Sequence, residues 1–237
     1  MSNSEWNNYV ESIFIKDYCM NCDGDKKIAF IHIPRTSGKS IRKSFNLGYH
    51  FKNFKRQNYY ACSHRRAVDV WDSNIINNFD TFTVIRDPWS RLLSLYQYYS
   101  QRPDMKQPYE SLKKYKNFSE FVYDYSNLIV ANSRNDNIDE YDLPDNFRSC
   151  SYWVCDNQNQ LLVKNIIRFD TLNKDLNTFA NKVGMNIKFP LERMIYKANE
   201  NIKKQNYNDV YMNDKKLIDK VADIYKIDIN KFGFEYK

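Results

Sequence analysis

Two short runs of apolar residues stand out from a generally polar sequence. Residues 27–33 (KIAFIHI) and Phe79–Ile85 (FDTFTVI) are rich in β-branched and aromatic side chains, without a clean alternation of apolar and polar positions. A strand that is buried on both faces, as in a parallel sheet, has this pattern. We therefore predict two buried strands that belong to one parallel sheet.

Each predicted strand is followed by a loop and then by helical spacing of apolar residues. The first helix is predicted over residues 39–47. Asp87 followed by Pro88 is a preferred helix start, and the second helix should run to about Tyr99. Repeated units of strand, loop and helix indicate a nucleotide-binding α/β fold. The same spacing predicts further helices over residues 118–130, 172–183 and 214–225.

The remaining segments complete the predicted organisation. Residues 151–155 and 161–169 are apolar runs separated by a short polar segment, which is the pattern of a β-hairpin. Residues 131–149 are polar and are predicted to form a loop. Because the chain contains no repeat, low-complexity tract or clear linker, we predict one domain over residues 26–237 and an N-terminal extension over residues 1–25.

Charge and hydropathy restrict the partners. Lys and Arg total 36 against 29 Asp and Glu, and the net charge of +7 favours an anionic ligand. The basic residues are scattered in pairs, which argues against a nucleic-acid-binding tail. No stretch approaches the roughly 18–20 apolar residues that span a bilayer, and no signal peptide is visible. The chain as given is expected to be cytoplasmic, although a fragment of a lumenal protein stays open.

The five cysteines allow two interpretations. Cys19, Cys22, Cys150 and Cys155 could supply four zinc ligands, but the spacing of the second pair is unusual for a structural zinc site. The alternative is a set of reduced thiols in a reducing compartment. We adopt the second interpretation and expect no metal.

The loop after the first predicted strand has the residues of a phosphate-binding site. Arg35 and Lys39 supply positive charge, while Thr36 and Ser40 supply hydroxyl donors. Backbone N–H groups at the start of the following helix add to the attraction for phosphate. We therefore predict that this loop binds a phosphate group.

Residues 37–40 (SGKS) also resemble the end of a P-loop. That motif needs a first glycine where this chain has Ile33, and it needs a Walker-B aspartate. The best candidate, Asp87, precedes the proline that starts a helix. A P-loop-type kinase or NTPase, which would bind ATP with magnesium, stays as an alternative. A basic binding module without catalytic activity is the other.

A second candidate site follows the second predicted strand. Arg86 lies at the carboxyl end of that strand, and Ser94 lies eight residues later, nearly two turns into the next helix. A guanidinium offers a planar fork for phosphate oxygens, and a serine hydroxyl adds a further hydrogen bond. The spacing of the pair predicts a second phosphate contact.

Together the two motifs resemble those of the sulfotransferases that use 3′-phosphoadenosine 5′-phosphosulfate (PAPS), most closely the carbohydrate branch that includes the uronyl 2-O-sulfotransferases. Residues 33–40 (IPRTSGKS) are similar to the loop that binds the 5′-phosphosulfate in that family. Residues 86–94 (RDPWSRLLS), which include Arg91, are similar to the segment that binds the 3′-phosphate. The resemblance continues weakly through residues 167–172 and 228–234.

The resemblance implies a three-layer α/β sandwich with a central, mostly parallel sheet and a P-loop-like nucleotide site. It implies transfer of a sulfuryl group from PAPS to a hydroxyl or amine of a glycan or small hydroxylated acceptor, without a metal. Adenosine 3′,5′-bisphosphate would be the product. The polar loop predicted from the sequence at residues 131–149 is expected to lie over the acceptor site. By the same resemblance, the donor would be held by Arg35, Thr36, Ser37, Gly38, Lys39, Ser40, Arg86 and Ser94.

The resemblance also nominates three catalytic residues. This chain has Arg35 where the carbohydrate branch usually has lysine, so either Arg35 or Lys39 would assist the leaving phosphate. His64, between the two motifs, resembles the basic histidine of the uronyl branch and is the candidate general base. Of the other histidines, His32 lies in the first predicted strand and is interpreted as a core residue, and His50 has no supporting context.

Overall fold

The structure is a computed structural model that describes part of the 237-residue chain. The described residues are 27–45, 66–70, 77, 79–102, 109–125, 145–191, 202, 205–212 and 214–237. All structural statements below concern these residues. The predicted boundary between an extension and a domain, at residues 25 and 26, lies outside them and stays a prediction.

A parallel sheet forms the centre of the described structure. Its strands are β1 (Lys27–Ile31), β2 (Phe79–Ile85) and β3 (Asn165–Arg168). The order is β1–β2–β3, and β2 pairs in parallel with both neighbours. The two strands predicted from their apolar runs are confirmed, including their parallel direction. The carboxyl ends of β1 and β2 therefore lie side by side at one edge of the sheet.

Helices follow and cover the strands. The helix predicted after Asp87 is confirmed, because the Asp87 carboxylate accepts the N–H of Ser90 at 2.8 Å and Pro88 occupies the first helical position. The described α-helices are α1 (Gly38–Ser44), α2 (Ala67–Val70), α3 (Pro88–Ser100), α4 (Phe118–Tyr125), α5 (Cys150–Val154), α6 (Leu172–Lys182), α7 (Tyr207–Tyr211), α8 (Lys215–Ile224) and α9 (Lys226–Phe232). Short 3₁₀ helices span Tyr109–Lys114 and Asp145–Phe147.

The sheet is buried on both faces because its side chains alternate between two apolar clusters. Phe30, Phe82 and Ile167 point to one face, where they pack with residues of α1 and α6. Ile31 and Ile85 point to the other face, where they pack with residues of α3, α4, α5 and α8. Helix, sheet and helix form three layers, so the predicted three-layer α/β sandwich is confirmed.

The predicted hairpin over residues 151–155 and 161–169 is wrong. The first run is helix α5, capped by the side chain of Ser149, and the second run contains β3, which pairs in parallel with β2. A single antiparallel bridge between Cys155 and Leu161 connects the two runs. Periodicity misled the prediction because a five-residue buried helix and a buried strand have the same apolar pattern.

The C-terminal helix α9, which the apolar pattern did not predict, anchors the segment before β3. The buried carboxylate of Asp228 accepts the N–H groups of Cys150 and Ser151, the latter at 2.8 Å. The hydroxyl of Tyr225 donates to the carbonyl of Phe147 at 2.6 Å. Burial raises the pKa of Asp228, and the two N–H donors act in the opposite direction. The end of the chain thus holds residues 147–151 in place.

The helices in the described ranges differ from a membrane span in length or in hydropathy, because none of them is both long enough and apolar enough to cross a bilayer.

Candidate functional site

The two candidate motifs meet at the carboxyl edge of the parallel sheet. Residues 32–37 leave β1 and enter α1, while Arg86 and Asp87 leave β2 and enter α3. Because β1 and β2 are paired neighbours, their following loops are adjacent. Ligands of open α/β sheets commonly bind at this edge.

The loop after β1 has a tight and unusual backbone. Arg35 and Ser37 both adopt left-handed conformations, with φ of 68° and 65°. Such φ values cost free energy for residues other than glycine and need support from the surroundings. One support is the buried hydroxyl of Thr36, which donates to the carbonyl of Ile33 at 2.8 Å. The loop is therefore held in one shape by its own hydrogen bonds.

Gly38 is required by a close contact rather than by its backbone angles. A Cβ atom at this position would lie 1.9 Å from atoms of the His32 ring, far inside any permitted distance. The ring of His32 is buried and stacks on Phe30, with ring centroids 5.8 Å apart. His32 is a packed core residue, as expected from the sequence, and it fixes how closely α1 approaches the sheet.

The side chain of Arg35 folds back onto α3. Its Nε donates to the Ser94 hydroxyl at 3.0 Å, and its guanidinium carbon lies 4.4 Å from the centre of the Tyr98 ring. Ser94 and Tyr98 are one helical turn apart and share a face of α3. Two successive turns of the helix thus hold one guanidinium.

Arg86 reaches the same place from β2. Its Nη1 donates to the backbone carbonyl of Arg35 at 3.2 Å, and its Nε donates to the Ser90 hydroxyl at 2.8 Å. Its guanidinium carbon lies 4.3 Å from the centre of the Phe169 ring, which follows β3. The structure therefore brings together Arg35, Arg86 and Ser94, the residues that the sequence singled out for charge and hydrogen bonding.

The cluster is rich in positive charge that has been taken out of water. Burial lowers the pKa of Arg35, and it lowers the pKa of Arg86 to about 10. The Asp87 carboxylate acts in the opposite direction on the pKa of Arg86, and the charge of Arg35 acts in the same direction as burial. Burial also lowers the pKa of Lys39, to which the charges of Arg102 and Arg35 contribute. Among the described residues, no carboxylate forms an ion pair with Arg35 or Arg86. Dehydrated cations that repel one another favour a bound anion.

Arg91 has a different position from the one that the motif implies. Its guanidinium is fully buried and donates to three backbone carbonyls, those of Pro34 at 3.1 Å, Arg148 at 2.8 Å and Asn146 at 3.0 Å. The described contacts of Arg91 are therefore internal. It ties the start of the loop after β1 to the segment that α9 anchors.

Asp87, the Walker-B candidate of the P-loop interpretation, is engaged by helix α3. Its carboxylate accepts both the backbone N–H and the hydroxyl of Ser90. The Ser90 hydroxyl in turn accepts a hydrogen bond from Arg86. Asp87 thus starts the helix and aligns Arg86, which leaves little support for a magnesium-binding role.

The other predicted donor-binding residues line the same loop. Ser37 precedes α1 without capping it through its side chain, while Lys39 and Ser40 lie in its first turn and are partly exposed. Gly38 is buried under His32. These residues and Thr36 form a continuous segment next to the Arg35 side chain.

Sequence reasoning missed three residues around the arginines. Tyr98 lies on the Ser94 face of α3, and Arg102 follows the end of that helix. Nη1 of Arg102 donates to the Tyr98 hydroxyl, and its guanidinium carbon lies 5.1 Å from the ring centre. Helical spacing from Ser94 could have found Tyr98. Phe169 could not be found from helical spacing. Its position depends on the parallel pairing of β3 with β2, whereas the sequence pattern predicted a hairpin.

The histidines and cysteines considered in the sequence analysis fall partly outside the described ranges. His64, His50, Cys19 and Cys22 lie outside the described residues. Cys150 and Cys155 are buried. Within the described ranges, no group of three or more His, Cys, Asp or Glu side chains is placed to hold a metal ion.

Comparison with known proteins identifies the family. The model of the sulfotransferase family matches residues 19–235, almost the whole chain. Searches of curated proteins and of solved structures found no match. The matched span includes the parallel sheet, both loops at its carboxyl edge and the anchoring helix α9. The family match, over a fold and a cationic site that suit a phosphate-containing donor, establishes that the chain belongs to the sulfotransferase family.

Proposed function

We propose that the protein transfers a sulfuryl group from PAPS to a hydroxyl or amine of a carbohydrate acceptor. The observation that carries the proposal is the cluster of Arg35, Arg86 and Ser94, in which two dehydrated guanidiniums from adjacent loops meet a hydroxyl of helix α3. PAPS suits such a cluster because its ribose carries two anionic groups, a phosphosulfate at the 5′ position and a phosphate at the 3′ position. The set fits PAPS because it consists of cations and hydroxyls, and no carboxylate of the described part of the chain forms an ion pair with Arg35 or Arg86.

The 3′-phosphate is assigned to Arg86 and Ser94. Ser94 accepts from Arg35 through one lone pair, so its own proton is still available for donation to a phosphate oxygen. Arg86 uses Nε and one N–H of Nη1 within the protein, which leaves other N–H groups of its fork for the phosphate. The internal hydrogen bonds thus orient both side chains and leave each of them with a donor for the phosphate.

The 5′-phosphosulfate is assigned to Arg35 and to the segment formed by Thr36, Ser37, Gly38, Lys39 and Ser40. PAPS supplies the sulfuryl group, whose sulfur is attacked by the acceptor as adenosine 3′,5′-bisphosphate leaves. Arg35 places its charge beside the leaving phosphate and remains ionised. Lys39 is the better proton donor of the two, because burial and neighbouring cations lower its pKa. Arg35→Ala and Lys39→Ala, compared in turnover and in donor affinity, separate the two roles.

His64 is proposed as the general base that takes the acceptor proton. A histidine is suited to this because its ordinary pKa, about 6.5, is close to neutral pH. Its place in the chain, between the two motifs, is the one that the resembling enzymes use. His64→Ala should lower turnover by about 10² to 10⁴-fold and leave the affinity for adenosine 3′,5′-bisphosphate unchanged. Near-normal turnover of that variant would remove His64 from the mechanism.

An acceptor with anionic sugars is proposed on the basis of charge. Lys39 lies close enough to Arg102 and Arg35 for their charges to lower its pKa, so the positive charge extends beyond Arg35 and Arg86. The net charge of +7 agrees with an acidic acceptor such as an unsulfated glycosaminoglycan. The resemblance to the carbohydrate branch supports the same class.

A labelled-donor assay tests this function. The protein is incubated with ³⁵S-labelled PAPS and, separately, with chondroitin, heparosan, dextran and a tyrosine-containing peptide. The proposal predicts label on a polysaccharide with wild-type protein and far less with Arg86→Ala. Label on the peptide alone would contradict the carbohydrate acceptor. Transfer of phosphate from γ-³²P-labelled ATP, with none from PAPS, would contradict the donor.

A further inference from the structure

The contacts of Arg35 suit an arginine and would not suit a lysine. One edge atom, Nε, bonds the Ser94 hydroxyl at 3.0 Å, while the flat face of the same group lies 4.4 Å from the Tyr98 ring centre. A guanidinium can make both contacts at once because it is planar and has donors along its edge. A lysine ammonium is a compact point charge without a face to stack. Neither contact uses a terminal nitrogen as a hydrogen-bond donor, so those N–H groups are available to a ligand.

The backbone of Arg35 shows that its position is held by the surroundings. Its φ of 68° is unfavourable for a side chain with a Cβ atom, and its carbonyl is held by Nη1 of Arg86 at 3.2 Å. The strained backbone turns the side chain toward α3, where Ser94 and Tyr98 receive it. Main chain and side chain of this residue are therefore both fixed.

The Tyr98 ring is itself held by two neighbouring side chains. Arg102 donates to its hydroxyl, and the Tyr99 ring meets it edge to face, with centroids 4.8 Å apart. A ring fixed in this way can serve as a rigid surface for the neighbouring guanidinium.

We propose that Tyr98 is a positioning residue that selects arginine at position 35 and orients its guanidinium toward the 5′-phosphate of the donor. The proposal rests on the proposed function, since it assigns Arg35 to the 5′-phosphate. Tyr98 acts through Arg35, so the effects of changing the two residues must be coupled.

A double-mutant cycle tests the coupling with adenosine 3′,5′-bisphosphate as the probe. Dissociation constants are measured by isothermal titration for wild type, Arg35→Lys, Tyr98→Leu and the double variant. Each single change should weaken binding by about 3- to 30-fold, the range of a cation–π contact in a partly dehydrated site. The double variant should be within about 3-fold of Arg35→Lys, because the ring has no guanidinium left to orient.

Two controls separate positioning from simple packing. Tyr98→Phe keeps the aromatic face and its contact with Tyr99 but removes the hydroxyl bond to Arg102, so its loss of affinity should be clearly smaller than that of Tyr98→Leu. Adenosine 3′-monophosphate lacks the 5′-phosphate, and its affinity should not change in Tyr98→Leu. If Tyr98→Leu does not fold, Tyr98→Met replaces it in the cycle, because a methionine side chain fills similar space without an aromatic face.

The outcomes are distinguishable. Losses that multiply in the double variant, or a Tyr98→Leu protein that binds like wild type, would overturn the positioning role while the proposed function stands. An equal loss for adenosine 3′-monophosphate would also overturn it, since the effect would not be confined to the 5′-phosphate. Wild-type protein that fails to bind adenosine 3′,5′-bisphosphate would overturn the proposed function and the inference with it.

Discussion

Replacing Arg91 tests whether the site is supported by a buried arginine that does not touch the donor. The guanidinium donates to three backbone carbonyls, at 3.1, 2.8 and 3.0 Å, and is 1% exposed. Arg91→Ala removes three charge-assisted hydrogen bonds and leaves three carbonyls without that donor. Each such bond contributes about 1.5–3 kcal/mol, but the three share one side chain and their contributions do not add fully.

The expected loss in the free energy of unfolding is about 3–5 kcal/mol, because three carbonyls lose a charged donor and the three contributions sum to less than their separate values. For a chain of this size, that loss lowers Tm by roughly 6–20 °C. Arg91→Lys should lose at least half as much, because one ammonium cannot reach three separated carbonyls. Affinity for adenosine 3′,5′-bisphosphate should also fall, because Pro34 begins the loop that carries Arg35.

Urea unfolding of wild type and variants measures this effect. Arg168→Ala is the control, since Arg168 donates to one backbone carbonyl, that of Phe232, and otherwise contacts Asp170 and the Phe234 ring from a partly exposed position. Together these contacts should contribute about 1–2 kcal/mol, because the pair with Asp170 is exposed. If Arg91→Ala costs no more than Arg168→Ala, Arg91 does not support the loop and the reasoning from its three carbonyls is wrong.

Three further predictions concern the site and its surroundings. Arg86→Ala should weaken binding of adenosine 3′,5′-bisphosphate by about 10- to 100-fold and Ser94→Ala by about 2- to 10-fold, and unchanged titrations of both would contradict the phosphate assignment. Gly38→Ala should lower Tm and nucleotide affinity because its Cβ would lie 1.9 Å from the His32 ring, and adding His32→Ala should restore part of both. Cys150 should resist iodoacetamide at pH 8 in the native protein and react in urea, because burial raises the pKa of its thiol to about 12; a labelled Cys150 peptide from native protein would contradict this.

The parts of the fold that could be predicted from the sequence are those fixed by local signals. β2 and the start of α3 follow from an apolar run, an aspartate cap and a proline at the first helical position. The convergence of the Arg35 and Arg86 loops could also be predicted, because adjacent parallel strands end at the same edge of a sheet.

The parts that could not be predicted depend on contacts between distant segments. No local signal distinguishes Arg91 as a buried donor, because two of its acceptors belong to Asn146 and Arg148, more than fifty residues away. The same holds for Asp228, whose carboxylate starts α5 at Cys150 from the other end of the chain. The local pattern of α5 contains only one helix signal, the Ser149 cap, while the Asp228 carboxylate that accepts its first N–H groups is distant in the chain.

The most direct test of the central claim is the binding of adenosine 3′,5′-bisphosphate to the wild-type protein, compared with ATP in the presence of magnesium. The account predicts that the bisphosphate, at 100 times its dissociation constant and without metal, stabilises the fold by about 2.7 kcal/mol, which raises Tm by roughly 5–11 °C. It predicts a much smaller shift with ATP and magnesium, and loss of the bisphosphate shift in Arg86→Ala. No shift with the bisphosphate, together with a magnesium-dependent shift with ATP, would contradict the assignment of PAPS as the donor.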